Sequence, residues 1–246
     1  MNKKKTTISA IVWTAVAVIF SVATRMIDVG VAGETQTKVG CVTINKMFYE
    51  IFNTFNPTAY KISEILGLLM ILICGILGLT GLIQWIRRKN ILKVDAEILC
   101  TGVLFSVTIG LYVLFNKVAV TYRPIIVPGE DALEASFPSS HSMLACVVMG
   151  ASVWIYKKYF LDRQSATGDS SANVNWVVKA IGIIVVLSAV AIPILRMVAG
   201  VHWITDIFAG IIMGYALLSW YEVALCTFAS ETKITTNQPA GKHFKK

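Results

Sequence analysis

Arg196-Met197-Val198-Ala199-Gly200-Val201-His202-Trp203-Ile204-Thr205-Asp206 joins two long apolar runs, Trp176–Leu195 before it and Trp203–Phe228 across and after it. Arg196, His202 and Asp206 are ionisable groups at the edge of segments where charge is expensive. An Arg or Asp at a bilayer centre costs about 2.5–3.5 kcal/mol on insertion scales, so such groups face a cavity or a partner. The stretch therefore predicts apolar helices on either side of it and a polar pocket where they meet.

The rest of the chain fits that reading. With 246 residues, 56% hydrophobic content and a mean hydropathy of +0.69, it is too apolar for an ordinary soluble domain and short enough for one membrane domain. Thr7–Thr24, Ile62–Ile86, Ile98–Phe115, Ser142–Tyr156, Trp176–Leu195 and Trp203–Phe228 are apolar runs. We expect an all-α polytopic protein of six transmembrane helices, a single domain over residues 1–230, with a disordered basic cytoplasmic tail over 231–246. The first run follows Lys3-Lys4-Lys5 and reads as an uncleaved anchor; a signal peptide cleaved after Ser21-Val22-Ala23 is the alternative. Gly75, Gly78 and Gly81 mark a small-residue face on the second run, and Gly210-x3-Gly214 another on the last. Arg25–Lys61 reads as an outer loop whose Phe48, Tyr49, Phe52 and Phe55 rest at the headgroup level, with a gate for lipid entry as the alternative, and Leu161–Asn175 as a flexible loop; Tyr122, Trp154 and Trp203 stand at span ends, where belt anchors are common, and are assigned no role in the chemistry.

The net charge of +8 is distributed in a way that fits topology. Of the 22 Lys and Arg residues, 15 fall on one side of the predicted spans, and seven on the other: Arg25, Lys38, Lys46, Lys61, Lys117, Arg123 and Arg196. The positive-inside rule puts both termini in the cytoplasm and the charged stretch on the outer face. There is no basic stripe interleaved with aromatic residues, so nucleic acid is not an expected partner. The five cysteines form no C-x-x-C pair and four fall inside apolar runs, which argues against a disulfide framework or a metal site.

The spacing carries chemistry. His202 and Asp206 are four residues apart, one helical turn, so the carboxylate can reach one imidazole nitrogen and leave the other free to attack. Phe137-Pro138-Ser139-Ser140-His141 precedes another apolar run, which puts serine hydroxyls and unpaired backbone N–H groups at a helix start, a site for phosphate. His141 beside a bound phosphate is a natural proton donor. Arg123 and Arg196 can grip phosphate oxygens with planar guanidinium forks.

These residues resemble the type 2 phosphatidic acid phosphatase superfamily, whose signatures are Lys-x6-Arg-Pro, Pro-Ser-Gly-His and Ser-Arg-x5-His-x3-Asp. Here Leu195 replaces the serine of the third and Ser140 the glycine of the second. In the first, Arg123-Pro124 is kept, but Asn116 stands in the lysine position and Lys117 lies one residue late. The motifs cover residues 116–206. The resemblance implies a catalytic helical bundle in which His202 attacks phosphorus, His141 protonates the leaving group and then activates water, and Asp206 supports the charged imidazole. Arg196, Arg123, Lys117, Ser139 and Ser140 would bind the substrate. It implies no metal or other cofactor, and a lipid phosphate or diphosphate as substrate: phosphatidate, phosphatidylglycerol phosphate or a polyprenyl diphosphate. A regular helix to Arg123 would turn Asn116 to the phosphate, whereas unwinding before Pro124 would let Lys117 turn in; the second is expected. A lipid-linked phosphotransferase and an impaired lipid-phosphate binding protein use the same residues and stay open.

Overall fold

The ends of the helices are written in local chemistry. In the computed structural model, which describes residues 3–52, 54–156 and 172–236, α1 spans Lys3–Met26 and a connecting segment follows it. The next long helix, α3 over Pro57–Arg88, starts where the Asn56 side chain accepts the Ala59 N–H at 3.0 Å and Pro57 supplies a preset φ. It stops at Lys89, in the left-handed region. After a short 3-10 turn at Ile91–Lys93 come α4 (Ala96–Lys117), α5 (Ser140–Tyr156), α6 (Ala172–Val198) and α7 (Ile204–Thr236).

Four of these helices, α1, α3, α4 and α7, are long and apolar enough to cross a membrane, while Ser140–Ile155 and Gly182–Val198 are shorter apolar helices. At 1.5 Å per residue, the 32 residues of α3 reach about 48 Å, well beyond the ~30 Å hydrocarbon core. Large apolar side chains such as Ile19, Leu68, Leu79, Val103, Leu187 and Phe208 point outward, as lipid-facing positions do. The apolar window of α7 is 44% buried against 11% for α1 and α3, which makes α7 the central helix. It runs antiparallel to α1, joined by Thr6 to Cys226 and by Trp220 Nε1 donating to Thr14 Oγ1 at 2.9 Å. Against α5 it packs through Gly210 and Gly214: a Cβ on Gly210 would lie 2.4 Å from the Ser139 carbonyl oxygen, and one on Gly214 2.8 Å from Cys146 Cβ. The Gly210-x3-Gly214 expectation holds. The small-residue face expected on α3 does not, because among the described residues nothing lies within 4 Å of a Cβ placed on Gly75 or Gly78 and only Gly81 meets a neighbour, Ile98.

Arg25–Lys61 is a folded brace. A hairpin pairs β1 (Gly30–Ala32) with β2 (Thr37–Val39), and α2 (Val42–Ile51) follows. Tyr49 packs on Trp203 with ring centroids 5.7 Å apart, and Phe55 on Tyr60 at 5.5 Å, so these aromatic residues fasten the segment to the bundle. Trp203 is only 1% exposed and donates its indole N–H to the Tyr122 carbonyl at 2.8 Å, which makes it a core residue and not a belt anchor. Residues 157–171, with most of the expected 161–175 loop, and 237–246, with most of the expected tail, lie outside the described residues. Helix α7 runs on through Thr236, past the Glu231 expected to open the tail.

Candidate active site

The site lies where the C-terminal ends of α4 and α6 meet the N-terminal ends of α3, α5 and α7, roofed by the 118–139 loop. Helix α4 ends at Lys117. The chain then doubles back on itself: Arg123 N–H donates to the Glu134 carbonyl at 3.1 Å, and Ser136 N–H to that of Thr121 at 2.8 Å. This ribbon brings Thr121, Arg123 and Ser136 to one place. The brace secures it from outside, since Thr35 Oγ1 donates to the Arg123 carbonyl at 3.0 Å and a Cβ on Gly33 (φ +77°) would strike the Pro124 carbonyl oxygen at 2.6 Å.

His202 does not sit on a helix. It lies in the turn before α7, and Asp206 is the third residue of that helix, where its carboxylate accepts the Trp203 backbone N–H at 3.1 Å. Here the four-residue spacing works through a capping turn. Asp206 is 0% exposed and its oxygens also accept the Ser136 hydroxyl, and that of Thr121 at 3.4 Å. His202 Nδ1 is 3.8 Å from Asp206 Oδ2, too far for a hydrogen bond, but 3.2 Å from Ser136 Oγ. The Ser136 proton is committed to Asp206, so its oxygen is left to accept, and Nδ1 carries the hydrogen. Nε2 is therefore the lone-pair nitrogen, and it is buried with no hydrogen-bond partner among the described residues. Burial, then the positive charges of Arg123 and Arg196, hold the His202 pKa well below the ordinary histidine value, keeping the ring neutral.

On the opposite wall, Arg196 is 1% exposed at the end of α6. Its Nη1 lies 2.7 Å from Glu64 Oε1 and its Nη2 2.9 Å from His141 Nδ1, while its guanidinium carbon stands 5.2 Å from the Tyr60 ring centroid. Arginine can only donate, so His141 Nδ1 accepts and its proton sits on Nε2. That nitrogen is 3.5 Å from Glu64 Oε1. Gly67 makes room for the ring, since a Cβ there would come within 2.8 Å of His141 Cδ2.

Between the walls lies a cavity of about 230 Å³ that Arg123, Ser140, His141, Arg196 and His202 all line. Asp206 stands behind His202. Ser139 is fully buried, its hydroxyl oxygen accepting from Ser142 Oγ at 2.9 Å and from the Ser142 N–H at 3.4 Å as the cap of α5. Asn116 lines the cavity; Lys117, exposed one residue on, is not among its lining residues. Arg123 Nη1 pairs with Glu134 Oε2 at 2.8 Å. A second, apolar cavity of about 460 Å³ between α3, α4 and α5 shares Glu64, Tyr112, Ser140, His141 and Met143 with the first.

Sequence reasoning missed Glu64, Ser136 and Asn45. Glu64 had a signal, an acid inside the apolar run Ile62–Ile86. Ser136 and Asn45 had none. Asn45 reaches from α2 to α7, its amide oxygen accepting the Thr205 N–H at 3.2 Å, and so steadies the turn that holds His202.

The chain is similar in fold to a solved membrane phosphatase and in sequence to a family profile. A crystal structure of a transmembrane PAP2-type phosphatidylglycerolphosphate phosphatase from Bacillus subtilis superimposes with a TM-score of 0.57 at 19% identity, over 96% of this chain and 98% of that one. LpxE from Aquifex aeolicus gives a TM-score of 0.38 at 22% identity, over 74% and 93%. No curated protein sequence matches. The PAP2 superfamily profile matches residues 98–225, more than half of the 246 residues and every motif residue from Asn116 to Asp206. The chain belongs to the PAP2 superfamily.

Proposed function

We propose that this protein is an integral-membrane lipid phosphatase that hydrolyses a phosphate or diphosphate monoester through a phosphohistidine on His202. The observation that supports it most is the buried, unpartnered Nε2 of a neutral His202 at the wall of a cavity with two arginines. Nε2 attacks phosphorus, the phosphorus–oxygen bond to the lipid breaks, and the departing alkoxide takes the Nε2 proton of a doubly protonated His141, whose Nδ1 is free to hold a proton once Arg196 has turned from it to the phosphate; His141 is left neutral. His141 then accepts a proton from water, the hydroxide attacks the phosphohistidine, and inorganic phosphate leaves with His202 neutral again. The positive imidazole formed in between is supported through Ser136 by Asp206. Arg123 and Arg196 supply the charge that stabilises the transferring phosphoryl group, and no metal ion is assigned a step.

The adjoining apolar cavity supports a lipid over a soluble ester, because an acyl or prenyl chain can lie in it while the phosphate occupies the polar one. Phosphatidate, phosphatidylglycerol phosphate and polyprenyl diphosphates are the substrates to try. Six spans, with α5 and α6 completing the set, put both termini in the cytoplasm and the cavity at the outer face, in keeping with the charge asymmetry. With native cysteines removed, Gly129→Cys should react with an impermeant thiol reagent from outside intact cells and Lys89→Cys should not; the reverse pattern would put the site inside.

Purified protein should release phosphate from one or more of these lipids in EDTA, and His202→Ala should release none. Release by His202→Ala at a rate near that of the wild type would defeat the proposal. Labelled substrate, with the label followed into inorganic phosphate or into a second lipid, separates hydrolysis from phosphotransfer.

A further inference from the structure

Glu64 stands where a phosphate would have to go. Its Oε1 lies 2.7 Å from Arg196 Nη1 and 3.5 Å from His141 Nε2, the groups assigned above to phosphate binding and to proton delivery. It is also one of the few residues that line both the polar and the apolar cavity, which places it at the junction that a lipid phosphate spans. The two partners of this ion pair differ in what they can do. Arg196 is 1% exposed, and a buried guanidinium stripped of its anion is costly. The Glu64 side chain is 40% exposed and lines the polar cavity, so its carboxylate can turn away from Arg196 into that cavity at little cost. Arg196 needs an anion at all times, and Glu64 is an anion free to leave.

We infer that Glu64 is an internal stand-in for the phosphate: it neutralises Arg196 in the empty pocket, yields to the phosphate of the substrate, and returns to Arg196 to displace inorganic phosphate after hydrolysis. This role rests on the phosphatase reading above. It makes Glu64 a determinant of how tightly the pocket holds any phosphate, product included, since each phosphate must break the Glu64–Arg196 pair and then share the site with a second negative charge.

The test is calorimetric binding of inorganic phosphate to the purified full-length protein, with melting temperatures as a check on folding. Removing a competing, part-exposed charge should tighten phosphate binding by roughly tenfold in Glu64→Gln. Glu64→Asp keeps the charge but withdraws it by a methylene, and should tighten binding about threefold; it carries the test if Glu64→Gln does not fold. A merely structural role would loosen the pocket and weaken binding. Unchanged or weaker phosphate binding in the folded variants, with the wild type binding, would overturn this role alone. No phosphate binding by the wild type would overturn the phosphate pocket and this role with it.

Discussion

The two histidines of the cavity are held in opposite ways. His202 is gripped by neutral donors and acceptors, with Ser136 on Nδ1 and a fully buried Asp206 behind, and its ring is buried where it meets the cavity. His141 is gripped by charges, Arg196 on Nδ1 and a part-exposed Glu64 facing Nε2. A nucleophile must present one lone pair in one direction, and buried hydroxyl and backbone contacts fix that direction without charging the ring. A proton donor that becomes a proton acceptor in the next step needs partners that can rearrange. The His202 side is a fixed wall and the His141 side an adjustable one.

That contrast predicts different losses on the two sides. His141→Ala should slow turnover by about 10²–10⁴-fold, the range for a lost general acid–base group, and by less for aryl phosphates with good leaving groups. Equal losses for aryl and alkyl esters would break the assignment. On the fixed side, Ser136→Ala leaves the Nδ1 hydrogen of His202 without an acceptor, since Asp206 is 3.8 Å away. A buried unsatisfied donor costs about 1–3 kcal/mol, so kcat should fall roughly 5–150-fold, for aryl and alkyl esters alike. A loss that depended on the leaving group would show that Ser136 acts on the His141 side.

Smaller effects sharpen the picture. Asn116 lines the cavity and Lys117 does not, so Asn116→Ala should raise KM about three- to tenfold through one lost hydrogen bond, with Lys117→Met closer to the wild type. The opposite order at low salt would return the phosphate-binding role to the lysine. Acid stability is the mildest test. The depressed pKa of His202 means that the unfolded chain binds a proton the folded one refuses, so the stability held above the unfolded value of about 6.5 is lost as pH falls below it. The melting temperature should drop between neutral pH and pH about 5, and drop less in folded His202→Gln; identical pH profiles would show that His202 is not held neutral.

Much of this was legible in the sequence, for reasons tied to particular residues. The apolar runs are long enough to announce helices, and charges as costly as Arg196 and Asp206 at their edges announce a pocket. The motif order drew His141, Arg123 and His202 together across more than 60 residues. What stayed hidden was short or tertiary. Three-residue strands carry no period, so the Gly30–Val39 hairpin read as loop and the aromatic residues of Met47–Phe55 as a lipid anchor. The spacing of His202 and Asp206 suggested a helix face, but the same spacing also suits a capping turn with a serine brought in from a distant ribbon, and only the fold supplies Ser136. The chain does unwind before Pro124, as expected, but only after Lys117, which is the last residue of α4 and stays exposed, so Asn116 and not the expected Lys117 lines the cavity.

The central claim is that phosphate passes through His202 Nε2. His141→Ala should still form the covalent intermediate from an aryl phosphate, because the good leaving group needs no proton, but should hydrolyse it slowly. Alkaline quenching of that variant with labelled aryl phosphate, followed by peptide mapping, should find the label on His202, and His202→Ala should carry none. Label on another residue, or steady hydrolysis by His202→Ala with no label at all, would contradict the account.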